Sequence, residues 1–552
     1  MKKCKRFVFM MLLLLFIMTF TACTSQEPPV SAGPEAEPVD EPDESDVTSP
    51  VTYDRYGGDL IIATSSVSNT LDPHYSAGAT ANYQWMQYVY ENAICLGADG
   101  NYYPQICDFD YADDGLSLTL TVRDYYFSDG SKVTIDDVVA SFERAGSVGG
   151  SFDTKVMSLV TDTKIEGDSV TYTFSSVGVT TLTEIADVRG PGYIMPKAII
   201  DKLGEGNQIT DKADVIGTGC YVLTTYNPDV EIVLSRNENY VITDFGGTGV
   251  AAPHNAYMDT IIFSVNTDSN SRTAGMIAGD YSIGGITSDM APYAEKVGLR
   301  KHLLSNQWTH AIFFNLSEDN KDSIVQDKSF RKAVRAALDM DAIMLSVLEG
   351  DSTRYELEPS AIPASNKTYY NEILKNTEYN IHDTELAKSY LEASGYNGEE
   401  ITWLVSEGGA FYRAAVAGAQ MLEDIGVNVN LWIVDSGSHG SLRATSTSGH
   451  DIGAWESQKA IINPAEQSSF VTGTAAGWWT NDTKTDLLSA MQGSITGSHE
   501  SVAAYNAFCE LVAEEVPYIV FGTAKSLAYS QPNVELNYEG IISYYWNTYF
   551  TD

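Results

Sequence analysis

FSDGSKVTIDDVVASFER, from Phe127 to Arg144, changes its period halfway. SDG at Ser128 to Gly130 supplies turn chemistry, and Thr134 to Arg144 (TIDDVVASFER) places apolar residues at helical spacing. Thr134 suits an N-cap, with Asp136 and Asp137 in the first turn, where the helix dipole favours anions. Just upstream, Ser117 to Val122 (SLTLTV) alternates strictly, as a strand with one buried face does. The unit is therefore strand, turn, helix. Asp59 to Ser66, Val170 to Phe174, Tyr221 to Thr225, Glu231 to Ser235 and Thr260 to Val265 repeat the strand signal. Phe330 to Leu348 and Asp383 to Ser394 repeat the helix signal. Interleaved elements of both kinds predict an α/β fold of mixed sheets flanked by helices. No fixed-period repeat or second low-complexity linker occurs after Tyr53, so the globule reads as one interlaced unit.

The 552 residues carry 33 basic and 74 acidic side chains, a net charge of −41. So negative a chain repels polyphosphate, and no basic cluster is interleaved with stacking aromatics, which sets nucleic-acid binding aside. The bases that do cluster are at the start: Lys2, Lys3, Lys5 and Arg6 precede an uncharged run from Phe7 to Phe20. At 1.5 Å per residue that run makes roughly 21 Å of helix, short for a ~30 Å hydrocarbon core, so it reads as a secretion signal over residues 1–22. Thr21 and Ala22 before Cys23 resemble the bacterial lipobox, although Phe20 stands where that pattern usually has Leu. Cys23 is the expected lipidation site. Residues 23–52 hold eight acids, no base and six prolines, the composition of an extended, self-repelling tether.

Beyond Cys4 and Cys23 the cysteines are Cys95, Cys107, Cys220 and Cys509, with no C-x-x-C pair or zinc spacing. Buried free thiols are favoured over a Cys95–Cys107 bridge. G-x-S-x-G, H-E-x-x-H and G-x-x-x-x-G-K-[ST] are all missing, which removes the usual hydrolase, zincin and ATP-site signatures. No catalytic residue, cofactor or metal is expected. DFDYADDG, Asp108 to Gly115, lacks the ligand spacing of a calcium loop and reads as a solvated hairpin loop. His439 and His450 read as surface histidines.

The order of short phrases along the globule resembles extracellular solute-binding protein family 5, the receptors of ABC importers for oligopeptides, dipeptides, nickel complexes and some oligosaccharides. The phrases are LDPH (Leu71 to His74), YEN (Tyr90 to Asn92), the Phe127 to Arg144 stretch, MPK (Met195 to Lys197) and GTGCY (Gly217 to Tyr221). They continue with IVLSRNENY (Ile232 to Tyr240), YMDTIIFSVNTDSNSRTAGMIAGDYSI (Tyr257 to Ile283) and FRKAVRAALDMDAI (Phe330 to Ile343). The resemblance implies a periplasmic-binding-protein-like class II clamp of two lobes with an extra inserted domain. Lobe I would comprise residues 53–93, 196–298 and 524–552, the inserted domain 94–195, and lobe III 299–523. It further implies a monomer on the outer face of a bacterial cell membrane, on the periplasmic side where an outer membrane exists. The monomer would deliver its solute unaltered to an ABC permease and its ATPase.

In relatives that take peptides, the ligand's backbone adds as a strand between the lobes. The matching positions here are Tyr75, Ser76, Ala77 and Gly78 after LDPH, and Gly453, Ala454, Trp455 and Glu456, with Trp455 at the family's cleft tryptophan. Phe411, Tyr412 and Arg413, read as a glycine-led loop before a helix, and Trp308 are secondary candidates. Those relatives place an aspartate just after the tryptophan to hold the ligand's ammonium group, and here Glu456 and Gln458 stand near its place. Peptide is the expected cargo. A sugar or other neutral solute stays open, as does a surface sensor or adhesion protein built on the same clamp.

Overall fold

The computed structural model describes residues 55–75, 80–178, 180–244, 246–360, 362, 364, 366–457, 463–467, 477–537 and 543–551. The signal, Cys23 and the tether lie outside the described residues. Residues 54–552 form one compact unit.

The strand–turn–helix unit forms as its sequence dictates. Ser117–Val122 is a strand, and Gly130, at φ +83°, closes the turn by donating to the Phe127 carbonyl at 2.9 Å. The helix then runs Ile135–Val148, and the Asp137 carboxylate accepts from the Thr134 N–H at 2.8 Å. Ile135, Val138, Phe142 and Ala145 line its buried face, where the Phe142 ring stacks on Tyr172 at 5.8 Å. The sheet under this helix has the spatial order Cys107–Tyr111, Ser117–Val122, Ser169–Phe174, Val160–Glu166, all antiparallel.

A second sheet is larger, with eleven strands. Its spatial order is Asn428–Val434, Glu400–Ser406, Ile452–Ser457, Arg300–Phe314, Tyr518–Ser530, Ile283–Gly284, Asp59–Thr64, Thr260–Val265, Glu231–Arg236 and Tyr221–Asn227. Tyr355–Glu356 pairs with Tyr518–Ser530 off this path. Three principal apolar cores are distinct. The first gathers Leu60, Trp85, Tyr221, Leu234, Ile261 and Trp546. The second lies under the Ile135–Val148 helix, around Leu118, Val138, Phe142 and Tyr172. The third gathers Phe313, Phe330, Trp403, Leu422 and Tyr518.

Two long antiparallel strands, Arg300–Phe314 and Tyr518–Ser530, belong to both outer cores. Leu304 and Ala528 pack in the first, while Ala311 to Phe314 and Tyr518 to Phe521 pack in the third. Between these ends the pairing loses register, from Leu303↔Leu527 to Gln307↔Lys525. A ladder irregularity between two separately packed bodies is where the least packing resists bending.

Outside the candidate site residues, the structure departs from the sequence expectations at three places. Phe330 to Leu348 is not one helix but two, Lys328–Ala337 and Met340–Val347, because Leu338 is extended (φ −82°, ψ 119°) and Asp339 caps the second. The Asp339 carboxylate accepts from the N–H groups of Asp341 and Ala342 at 3.0 and 3.2 Å. Asp108 to Gly115 is only partly a loop: Cys107–Tyr111 pairs along its whole length, and the turn is confined to the residues from Ala112 to Gly115. His439 and His450 are buried, not on the surface. Among the described residues all four cysteines are free and buried.

Candidate functional site

The LDPH phrase builds a buried polar knot. Pro73–Tyr75 forms one turn of 3-10 helix, and Asp72, fully buried, meets Arg144 from the Ile135–Val148 helix in a two-pronged ion pair of 2.9 and 2.5 Å. The same guanidinium donates to the His74 Nδ1 at 2.8 Å and to the Asn207 carbonyl at 2.9 Å. Since Nδ1 accepts, the proton of neutral His74 is on Nε2, which donates to the Tyr193 carbonyl at 2.9 Å. Burial, then the neighbouring guanidinium, push the His74 pKa down to about 4. Burial raises Asp72, but the Arg144 hydrogen bonds and charge and the Ile209 N–H outweigh it and hold the carboxyl below its ordinary value. Tyr75 is half-buried under the Arg144 guanidinium, 5.5 Å from ring centroid to Cζ. Ser76, Ala77 and Gly78 lie outside the described residues.

On the far side of the register break, Ile452–Ser457 pairs antiparallel with Arg300–Phe314. Gly453 faces Phe313, Ala454 faces Ile312, Trp455 faces Ala311 and Glu456 faces His310. Trp455 and Glu456 are placed as strand positions, and Gln458 lies outside the described residues. Along its other edge, among the described residues, this strand pairs only at Ile452, with Trp403. Arg443 reaches that region and donates to the Ala454 carbonyl at 3.0 Å. Apart from the Ala454 carbonyl, the edge beyond Ile452 has no strand partner among the described residues, and another strand can take up its main-chain donors and acceptors.

Trp308 stands within the crossing pair, half-buried, its indole Nε1 donating to the Ser526 hydroxyl at 3.0 Å. His310, two residues on, is buried. Its surroundings, together with the charges of Arg354 and Arg413, push its pKa down to about 4. Phe411, Tyr412 and Arg413 are not on a loop: they lie at the start of the Gly409–Asp424 helix. Phe411 and Tyr412 pack on the third core, with the Phe411 ring 5.5 Å from the buried His439 imidazole. Arg413 closes the end of Met340–Val347, donating to the Val347 carbonyl at 2.7 and 3.1 Å and pairing with Glu349 at 3.0 Å.

Sequence reasoning thus missed Asp72, His74, Arg144 and His310. The first two stand inside LDPH and the third ends the Phe127 to Arg144 stretch. Their signal was a charged residue, Arg144, on the buried side of a helix, which must have a partner somewhere. Among the described residues no group of three His, Cys, Asp or Glu is placed to hold a metal ion.

The family model described as bacterial extracellular solute-binding proteins, family 5 Middle, matches residues 101–490. Oligopeptide-binding protein AppA of Bacillus subtilis (strain 168) is 25% identical over 335 residues, which cover 57% of this chain and 56% of that one. The chain spans a little over half the length of the curated relatives it matches. Among solved structures, the ABC transporter substrate binding protein CtaP of Listeria monocytogenes superposes with a TM-score of 0.74 at 18% identity, over 90% of this chain and 100% of that chain. The binding protein AgaA of A. tumefaciens R10, solved with agropinic acid, gives 0.68 at 22% identity, over 90% and 99%. These likenesses carry the fold: it is α/β and periplasmic-binding-protein-like.

Proposed function

The chain belongs to the bacterial extracellular solute-binding proteins, family 5, and on that premise we propose that it captures an oligopeptide or dipeptide between two lobes. It then delivers that cargo unaltered to an ABC permease and its ATPase. The observation that carries this reading is the pair of strands crossing between two separate cores with a break in their register at Leu303 and Gln307. Two bodies joined by so narrow a bridge can open to water and close over a guest. Polar contacts made inside the closed cleft then act in a lower dielectric, where they count for more.

In this reading lobe I (53–93, 196–298, 524–552) would hold most of the first core, the inserted domain (94–195) most of the second and lobe III (299–523) most of the third, while Val188, Tyr193, Met195 and Leu304 pack in the first core from outside lobe I's bounds. Among the described residues no strand pairs with the edge of Ile452–Ser457 beyond Ile452, which supports main-chain recognition of an extended peptide, with Tyr75, Trp308 and position 455 as the proposed contacts. A second reading, a neutral sugar-like solute, is favoured by one observation: no aspartate comes directly after Trp455. Mass spectrometry of what co-purifies from native cells tests the cargo. Peptides of mixed sequence are expected, and a single non-peptide solute in their place overturns the peptide reading. Small-angle scattering should show contraction when that cargo is added back to emptied protein, and an unchanged profile would sink the clamp.

Cys23, lipidated, would tether a monomer by residues 23–52 to the outer face of the bacterial membrane. Cys23→Ser should release protein into the medium or leave an unprocessed precursor. Unchanged labelling by a fatty-acid probe would remove the anchor. Among the described residues no helix is long and apolar enough to cross a membrane.

A further inference from the structure

The buried knot around Asp72 is one of the ties between the first body and the second, beside the Lys197 N–H on the Asp137 carboxylate at 2.7 Å and the Met195 N–H on the Ser141 hydroxyl at 2.9 Å. Asp72, His74 and Tyr75 lie just ahead of the Thr80–Val89 helix of the first core, whereas Arg144 belongs to a helix of the second. Of the five guanidinium N–H groups, the two on Nη1 serve Asp72 Oδ1 and His74 Nδ1, and the two on Nη2 serve Asp72 Oδ2 and the Asn207 carbonyl. Three of these four bonds end on Asp72 and His74, and the guanidinium itself covers the Tyr75 ring. The planar fork therefore sets where the turn lies as well as its charge balance. Backbone bonds complete it: the His74 N–H donates to Asp72 Oδ1 at 3.1 Å and the Tyr75 N–H to the Asp72 carbonyl at 3.3 Å.

We infer that Arg144 is a positioning residue: from the inserted domain it holds the Asp72–Tyr75 turn in the orientation that offers Tyr75 to the solute. The inserted domain, which contributes no residue to the proposed cleft, thereby takes part in recognition. The inference rests on the clamp reading for its consequence on affinity, but not for the fixing of the turn.

The test therefore has two readouts. Hydrogen exchange at the His74 and Tyr75 amides is measured in the full globule without solute, for the wild type and for Arg144→Gln. Where that variant fails to fold, Asp72→Asn/Arg144→Gln replaces it, because removing both charges leaves no unpaired ion buried. Exchange at the two amides should quicken by about tenfold or more while the Ser117–Val122 and Ser169–Phe174 strands stay as protected as before. Calorimetric titration with a pool of tri- to pentapeptides should show affinity weakened by about tenfold in whichever of the two variants folds. Arg144→Lys, which keeps the charge without the fork, should not restore either readout. Unchanged exchange at His74 and Tyr75 in a folded variant overturns the inference, as does quickened exchange with undiminished affinity. A wild type that takes no peptide from the pool sinks the peptide reading instead, and the exchange experiment still decides whether Arg144 holds the turn.

Discussion

Gly453 shows how one missing side chain supports two readings. In a strand proposed to meet solute, a glycine suggests close approach of a ligand backbone, yet a Cβ built there falls 2.4 Å from the Phe313 ring, which is buried in the third core. The glycine makes room for its own cross-strand partner. Gly453→Ala should therefore destabilise the protein by about 1–3 kcal/mol, seen as a lower denaturant midpoint, with a smaller change in solute affinity of the folded fraction. Trp455→Ala, two residues on, should do the reverse, costing more in affinity than in melting temperature; equal losses would assign Trp455 to the core. At this scale the sequence was least informative. Arg413 was a candidate because it comes after a glycine pair and two aromatics, but all three of its guanidinium nitrogens are engaged by the Val347 carbonyl and Glu349. Nothing within its own stretch announces a partner more than sixty residues away.

Elements were readable where their determinants are local. Ser117–Val122 and Thr260–Val265 form over the residues that the strand signal marked, and Asp383 caps Thr384–Ala393 through the N–H groups of Glu385 and Leu386 at 2.9 and 3.0 Å. The break between Lys328–Ala337 and Met340–Val347 was not visible, since apolar spacing continues through Leu338, which is itself fully buried. Only Asp339 carried the signal, and an aspartate in a helical run is as easily read as a solvated face. The cap has a measurable worth. Asp339→Ala removes the acceptor for two otherwise unmet N–H groups and should lower stability by about 1 kcal/mol in chemical denaturation. Asp339→Asn, which keeps the acceptor oxygen, should recover most of it. A loss no larger than experimental scatter would mean the second helix is held by its packing alone. The two crossing strands were missed for another reason: their lengths are set by pairing with each other across more than two hundred residues of chain.

Across the whole molecule, acid should act through histidine before it acts through the carboxylates. His74, His310 and His450 lie in three separate surroundings, and burial, the largest cause in each, pushes the pKa from 6.5 down to about 4. The folded chain thus refuses protons that the unfolded chain accepts. Stability is present in full above pH 6.5 and is lost as pH falls from there toward 4, by up to about 1.4 kcal/mol per pH unit for each histidine. His450 shows why: its Nδ1 meets the Ser448 hydroxyl while its buried Nε2 has no partner among the described residues, so none of them would accept a proton there. The acidic excess works the other way. With a net charge of −41, self-repulsion weakens as carboxylates protonate, but ordinary carboxylates do so mainly below about pH 5, which leaves roughly pH 6.5 to 5 to the histidines. Melting temperature should therefore fall over that interval, and His450→Gln, which cannot titrate, should flatten the slope. A melting temperature that holds steady or rises over the window would mean that relief of charge repulsion outweighs three buried imidazoles.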